Sequence, residues 1–488
     1  MCLATEPAGL NAFASPDQAS SDLIPVLFTP LVRFSPAGEV APWLARDWSW
    51  DAEHRRLTFT LRDDVTWHDG TPLTAADVEW TLNAARDSAY GYWGREDFLE
   101  VASVSAPTPQ TVVLEYARPT SGSVEAFVAM PILPKHLLSA LTPEQFAQAP
   151  YNREPVGSGP FRFLTRRSTG ELVFQRWEQF PEQLGAARLE RLVLRTIPER
   201  STQLVELGTG NVHACVLGAS AADEVRAVAS LEAEPVGPFG VQMLPLRNDR
   251  PPFDDRRVRR ALSAAIDRAA IADVWSSAAS PAGNLLPLDN PYRDARLNQP
   301  DANPTLAAAL LDSAGWGTRG RDGIRTNARG ERLSFRMVSP QAFEAPLTVI
   351  QAQLRAVGVD MALELLEFAT YVDVISDPDT RPAAMALVMA PSKVQYFDPW
   401  SELHSDGYSN YSLYSSPAAD SLVDALRNTF DDQQRGRIYR SLQQVVRDEV
   451  PTIYTVYLPR IIAQGARLEG VRPGIDGPFA SILDWHLQ

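Results

Sequence analysis

Residues 57–82 read LTFTLRDDVTWHDGTPLTAADVEWTL, and every turn of that stretch has local grammar. Leu57, Phe59 and Leu61 alternate with Thr58, Thr60 and Arg62, the period of two that marks a strand with one buried face. Arg62-Asp63-Asp64 carries the chain into solvent, and His68-Asp69-Gly70 supplies turn residues. Thr74 stands three residues before Asp77, a capping box that opens a helix with Val78 and Leu82 on its core face. The segment is therefore expected to be strand, turn and capped helix.

Outward from it, strand and helix patterns alternate without an internal repeat. Val101 to Val104 and Thr111 to Tyr116 suggest paired strands, and His136 begins a short helix. The glycine-rich run Val156-Gly157-Ser158-Gly159-Pro160-Phe161 enters a hairpin carrying Phe163, Val173 and Phe174. Phe253-Asp254-Asp255 precedes an amphipathic helix or helix pair through Val258, Leu262, Ile266, Ile271 and Val274, with a carboxylate favouring the N-terminal dipole. Asn303 and Pro304 open a helix that Gly315 follows. A further helix through Ile350 and Leu354 stops at Gly358, and Val359, Met361, Leu363 and Leu365 alternate as a strand. Met385 to Met389 has the length of one strand, Ala419 to Val446 is a long amphipathic region, and Ile453 to Tyr457 returns to strand. This alternation favours mixed α/β lobes over a bundle or a sandwich.

Composition narrows the function. The chain has 488 residues, 45% of them hydrophobic, enough for two or more lobes with large cores. No window approaches the run of about 18 apolar residues that a membrane helix needs. The net charge of -15 argues against a nucleic-acid or anionic-membrane partner. Lys135 and Lys393 are the only lysines among 45 basic residues. The chain as given starts without a basic, apolar leader, which predicts either a cytoplasmic protein or one whose export signal has been removed. Cys2 reads as the remnant of a lipid-anchor cysteine or as a buried or incidental one. Cys215 has no metal or redox spacing to it, so no disulfide framework is expected.

Catalytic patterns are missing. There is no G-x-S-x-G elbow, no H-E-x-x-H and no C-x-x-C, and the glycine run at 156–161 lacks the lysine and helix start of a P-loop. Gly208-Thr209-Gly210-Asn211-Val212-His213 closes a helix rather than opening one, so it is no dinucleotide fingerprint. His68 beside Asp69 is the most tempting acid–base pair, yet an aspartate in such a turn ordinarily satisfies backbone donors. No enzyme activity, cofactor or metal site is expected. The aromatic, glycine-broken cluster of Tyr90, Tyr92 and Trp93 suits a ligand-facing loop or, equally, a hydrophobic plug under a loop. Trp43, Trp48 and Trp50 read as core packing.

The stretch at 59–78 resembles the word F-x-L-R-x-x-V-x-W/F-H-D-G-x-P-x-T-A-x-D-V of the extracytoplasmic solute-binding proteins of family 5, the oligopeptide and dipeptide type that serves ABC importers. Further words similar to that family follow in order. They are Pro155-Val156-Gly157-Ser158-Gly159-Pro160-Phe161, then Pro252-Phe253-Asp254-Asp255 with Val258-Arg259-Arg260-Ala261-Leu262 and Ala265-Ile266-Asp267-Arg268, then Leu310-Leu311-Asp312-Ser313-Ala314-Gly315-Trp316, and Asp398-Pro399.

The resemblance implies an α/β, periplasmic-binding-protein-like fold of type II (cluster C), with two main lobes joined by two hinge crossings plus an inserted domain. Domain I would comprise 1–31, 155–243 and 458–488, domain II the insertion 32–154, and domain III 244–457. It implies an extracytoplasmic monomer that encloses a peptide or small-molecule ligand between closing lobes and delivers it to a membrane-embedded ABC permease, with no nucleic-acid partner. The ligand-binding residues it implies are Glu6 and Asn11 near the start, Tyr90, Tyr92 and Trp93 in the aromatic loop, and Phe239 and Gln242 at the first crossing. From the second lobe come Ser392, Lys393, Gln395, Tyr396, Asp398, Trp400 and Tyr411. Peptide-binding members carry an aspartate four residues before the proline of the Asp-Pro word to receive the peptide ammonium. This chain has Gln395 there, and an amide cannot neutralise an ammonium. Two ligand classes therefore stay open: a peptide held by backbone bonds, and a non-peptide such as a sugar, opine or anionic conjugate stacked on aromatic rings; outside the carrier class, a ligand-sensing domain that uses the same cleft without a permease partner is the alternative.

Overall fold

The computed structural model describes residues 1–488 except 16, 36–37, 121–123, 289, 378–380 and 390–396, and the side chains of 238, 239 and 369. The chain divides into two compact units, Met1–Pro238 with Arg460–Gln488, and Phe239–Pro459. Strand Leu231–Pro245 runs through the first junction and strand Thr452–Gly465 through the second.

In the first unit the opening stretch folds as its pattern dictates. Strand Arg56–Leu61 buries Leu57, Phe59 and Leu61. It lies between Ala45–Trp50 and Thr111–Tyr116 in a four-stranded antiparallel sheet closed by Val101–Thr108. Helix Ala75–Arg86 follows, with Val78 and Leu82 fully buried. Its Asp77 carboxylate accepts the backbone N–H of Thr74 at 2.9 Å and that of Lys135 at 2.9 Å, so the cap also ties down the next short helix, Lys135–Leu138.

Gly157 and Gly159 explain the glycine-rich word. A Cβ on Gly157 would stand 1.9 Å from the Leu27 carbonyl oxygen, and one on Gly159 2.6 Å from the same backbone. Both residues instead hydrogen-bond the segment around them: Gly159 N–H donates to Leu27 O at 2.9 Å, and Gly157 N–H to the His68 Nδ1 at 3.1 Å. Close backbone approach, not phosphate binding, requires glycine here.

Strand Cys2–Leu3 runs parallel to Arg191–Thr196 on one side and Ala214–Gly218 on the other. Register puts Cys2 directly beside Cys215, with Cα atoms 4.5 Å apart, and the two form a disulfide. This corrects the expectation of unpaired cysteines. A sequence separation of 213 hides a pairing that neighbouring strands create, and the bonded Cys2 thiol is not free to carry a lipid. The hairpin Phe161–Arg166 and Leu172–Arg176 extends this sheet from Arg191–Thr196.

The second unit holds a parallel crossover: strand Ser334–Pro340, helix Glu344–Ala356, then strand Asp360–Leu366 beside the first. Gly358, at φ +90°, turns the chain between helix and strand. One expectation changes and another is resolved in detail. The run at 385–389 is not one strand but the ends of two, since Ala384–Met385 pairs with Ser334–Pro340 and Leu387–Met389 with Leu231–Pro245. The amphipathic region at 419–446 is two helices, Pro417–Arg427 and Asp432–Glu449, the second capped by Asp431 donating no bond but accepting Gln434 N–H at 2.8 Å. Asp255 and Asp267 likewise cap a helix pair, Arg256–Ala265 and Arg268–Trp275. No helix among the described residues is long and apolar enough to cross a membrane.

Candidate functional site

The candidate residues fall into a group in each unit. In the first unit the aromatic loop divides. Tyr92 is buried and stacks on Phe13 with ring centroids 4.6 Å apart; burial pushes its phenol well above the ordinary range. Tyr90 packs edge-on against Trp80 and Phe146. Trp93 keeps 42% of its surface exposed while its indole N–H donates to the Ala12 carbonyl at 3.1 Å. Two rings of the loop thus serve as the plug and the third presents a face to solvent. The same N-terminal segment supplies Asn11, fully buried, whose amide donates to Asn152 Oδ1 at 2.8 Å and accepts Phe13 N–H at 3.2 Å. Glu6 stands apart from that pair, in an ion pair with Arg166.

His68 belongs to the scaffold. Its Nδ1 accepts Gly157 N–H, which leaves Nε2 as the donor to Gly159 O at 3.0 Å. Burial lowers its pKa to about 4, so the ring stays neutral with both nitrogens engaged. Asp69 turns away to His136, 2.7 Å from its Nε2.

In the second unit, Gln242 is fully buried; its side-chain oxygen accepts from Trp275 Nε1 at 3.3 Å and Thr455 Oγ1 at 3.0 Å, while its amide nitrogen has no partner among the described residues. Asp398 uses both oxygens, on Trp400 N–H at 3.1 Å and on Arg427 Nε at 2.7 Å. The Arg427 guanidinium lies 4.5 Å over the Trp400 ring, whose indole also stacks with His404 at 4.7 Å. Tyr411 lies apart from them under the guanidinium of Arg381 at 4.8 Å. Ser392, Lys393, Gln395 and Tyr396 fall outside the described residues, as does the side chain of Phe239.

One group here escaped sequence reasoning. Glu402, on the short helix Trp400–Leu403, is half-buried and accepts the Ser401 hydroxyl at 2.5 Å. Burial, reinforced by the Asp398 charge, raises its pKa to about 7. In the sequence it is one acidic residue among 60, and its burial arises only from packing.

Against known proteins, residues 39–407 match the profile of the bacterial extracellular solute-binding proteins, family 5 middle region. Protein XP55 of Streptomyces lividans is 27% identical over 428 residues, covering 87% of this chain and 77% of that protein. The oligopeptide-binding protein AppA of Bacillus subtilis is 24% identical over 493 residues, covering 99% and 90%. The structure of that AppA in complex with a nonapeptide superposes with a TM-score of 0.82 at 22% identity, covering 100% of this chain and 98% of AppA. AgaA of A. tumefaciens R10, in complex with agropinic acid, gives 0.80 at 21% identity, covering 100% and 98%. The five words of the sequence, the α/β units joined by two strand crossings and the profile match over well over half of the chain agree: the protein belongs to the bacterial extracellular solute-binding proteins of family 5.

Proposed function

We propose that the protein is the ligand-capturing component of an ABC import system and that its ligand is a peptide, delivered to a membrane permease. The family match over residues 39–407 carries this conclusion, and the nonapeptide held by AppA, a relative along nearly the whole chain, supports the peptide. The Cys2–Cys215 disulfide supports residence in an oxidising, extracytoplasmic compartment. The protein acts as a monomer on a ligand it leaves chemically unchanged. Segment 32–154 works as an inserted domain of the first unit, with 238/239 and 459/460 as hinge positions.

Native mass spectrometry of the purified protein tests this directly. A co-purifying peptide, unaltered on release, is the expected result; a ligand that returns modified would point to an enzyme instead. A non-peptide ligand is the second possibility, favoured by one observation: Gln395 occupies the place of the peptide-anchoring aspartate, and a relative of the same fold holds agropinic acid. Replacement Gln395→Asp should tighten binding of free peptides about tenfold if their ammonium sits there. Unchanged affinity by calorimetry would refute that placement.

A further inference from the structure

Gln242 carries an idle donor in a place where the fold has fixed what surrounds it. It lies on strand Leu231–Pro245, antiparallel to Leu387–Met389 and directly opposite Val388. Its neighbours along the strand divide between two faces: Val241 and Met243 join one hydrophobic cluster and Leu244 joins another. The Gln242 side chain shares the face of Leu244 and reaches Trp275, which packs on that same cluster. Leu244 is 1% exposed, whereas Val388, opposite Gln242 on this face, is 37% exposed. Gln242 therefore stands where the face passes from core to surface.

Its neighbours settle which way the amide points. An indole nitrogen can only donate, so the atom 3.3 Å from Trp275 Nε1 is the amide oxygen. The Thr455 hydroxyl faces the same oxygen at 3.0 Å and shares its proton with the Gln242 backbone carbonyl, also at 3.0 Å. Helix Arg268–Trp275 and the neighbouring strand Thr452–Gly465 thus hold the oxygen, and Nε2 with its two N–H bonds lies on the other side of the amide. Among the described residues Nε2 meets no acceptor, although Gln242 is fully buried. An oriented donor left unpaired inside a protein costs free energy that an arriving acceptor recovers. The side chains that hold the amide, an indole and a hydroxyl, carry no charge. A carboxylate docked on Nε2 would find no counter-ion in either of them, and an ammonium would meet N–H bonds where it needs oxygens. A neutral carbonyl oxygen meets neither objection.

We propose that Gln242 is a recognition residue of the second unit, its side-chain Nε2 donating to a peptide-bond carbonyl oxygen of the captured solute. This rests on the peptide reading above and adds to it the protein atom that makes one backbone bond. Such a donor reads the main chain of a peptide and not its side chains, so it suits capture of many sequences.

Calorimetry with the full chain tests this, with pentaalanine as probe and its four single-thioamide analogues as perturbations, because sulfur in place of oxygen is a weak acceptor. In the wild type one thioamide should weaken binding about three- to tenfold. Gln242→Met keeps the length of the side chain and removes both N–H donors. It should weaken pentaalanine binding by a similar factor and be indifferent to that same thioamide, the coupling that a double-mutant cycle reads. A residue that only held the fold would weaken pentaalanine and every thioamide alike. NMR of the wild type guards against a variant that misfolds: the Gln242 side-chain amide protons, assigned by their NOEs to the Trp275 indole N–H, should move downfield when pentaalanine is added. If no thioamide loses its effect in Gln242→Met, or if the amide protons ignore bound pentaalanine as they would beside buried water, the anchor is overturned and solute capture stands. Failure of the wild type to bind pentaalanine overturns the anchor too. The peptide reading then falls with it if native mass spectrometry finds a co-purifying non-peptide, and stands if it finds a peptide.

Discussion

Removing the Cys2–Cys215 disulfide should loosen the first unit and spare the second. Both cysteines are fully buried on adjacent strands of that unit, and the bond closes a separation of 213 residues. Chain-entropy arguments grow only logarithmically with loop length, so this closure restricts the unfolded state by about 5 kcal/mol as a ceiling; native disulfides usually deliver about 2–4 kcal/mol. The double replacement Cys2→Ala, Cys215→Ala adds a small cavity to that loss. Hydrogen exchange by mass spectrometry reads the effect segment by segment. Amides of Arg191–Thr196 and Ala214–Gly218, which flank Cys2–Leu3, should exchange roughly a hundredfold faster, the equivalent of about 3 kcal/mol. Those of Ser334–Pro340 and Asp360–Leu366, in the other unit, should keep their rates. Equal acceleration in both units, or none in the first, would refute the assignment of the bond as a local staple.

Two further outcomes follow from His68 and from the glycines of the first unit. His68 has a folded pKa of about 4 against an ordinary 6.5, so the unfolded chain binds a proton that the folded chain refuses. Its contribution is complete above pH 6.5 and is lost as pH falls towards 4; urea titrations should show about 2 kcal/mol more loss across that window in wild type than in His68→Gln, after allowance for partial solvent screening. Gly157→Ala forces a methyl to 1.9 Å from the Leu27 carbonyl and should cost more than about 3 kcal/mol or abolish soluble expression, whereas Gly170→Ala, which meets no atom within 4 Å but sits at φ +85°, should cost only about 1 kcal/mol in thermal unfolding.

Much of the architecture could be read because it depends on neighbours in sequence. Strand alternation at Leu57, Phe59 and Leu61, the Thr74–Asp77 cap, and the Asn303-Pro304 and Gly358 punctuation each involve a few consecutive residues, and all fold as their patterns imply. The run at 385–389 misled because hydrophobicity says that a segment is buried but not against how many strands. The aromatic loop was ambiguous for a related cause: Tyr92 and Trp93 are adjacent and similar in character, yet only the Phe13 ring beneath Tyr92 decides that one is plug and the other exposed.

Family membership is a property of words such as residues 59–78, which the sequence displays directly. Burial of a charge is not written that way. Glu402 becomes notable only because the fold buries its carboxyl, while Arg427, 25 positions away in the chain, folds onto Asp398 and Trp400. Cys2 meets Cys215 for the same kind of reason, through strand register across 213 residues. Local patterns follow from short-range sterics and periodicity, which a sequence displays directly; the energy of a buried carboxyl or the reach of a thiol depends on atoms that only the folded chain brings near.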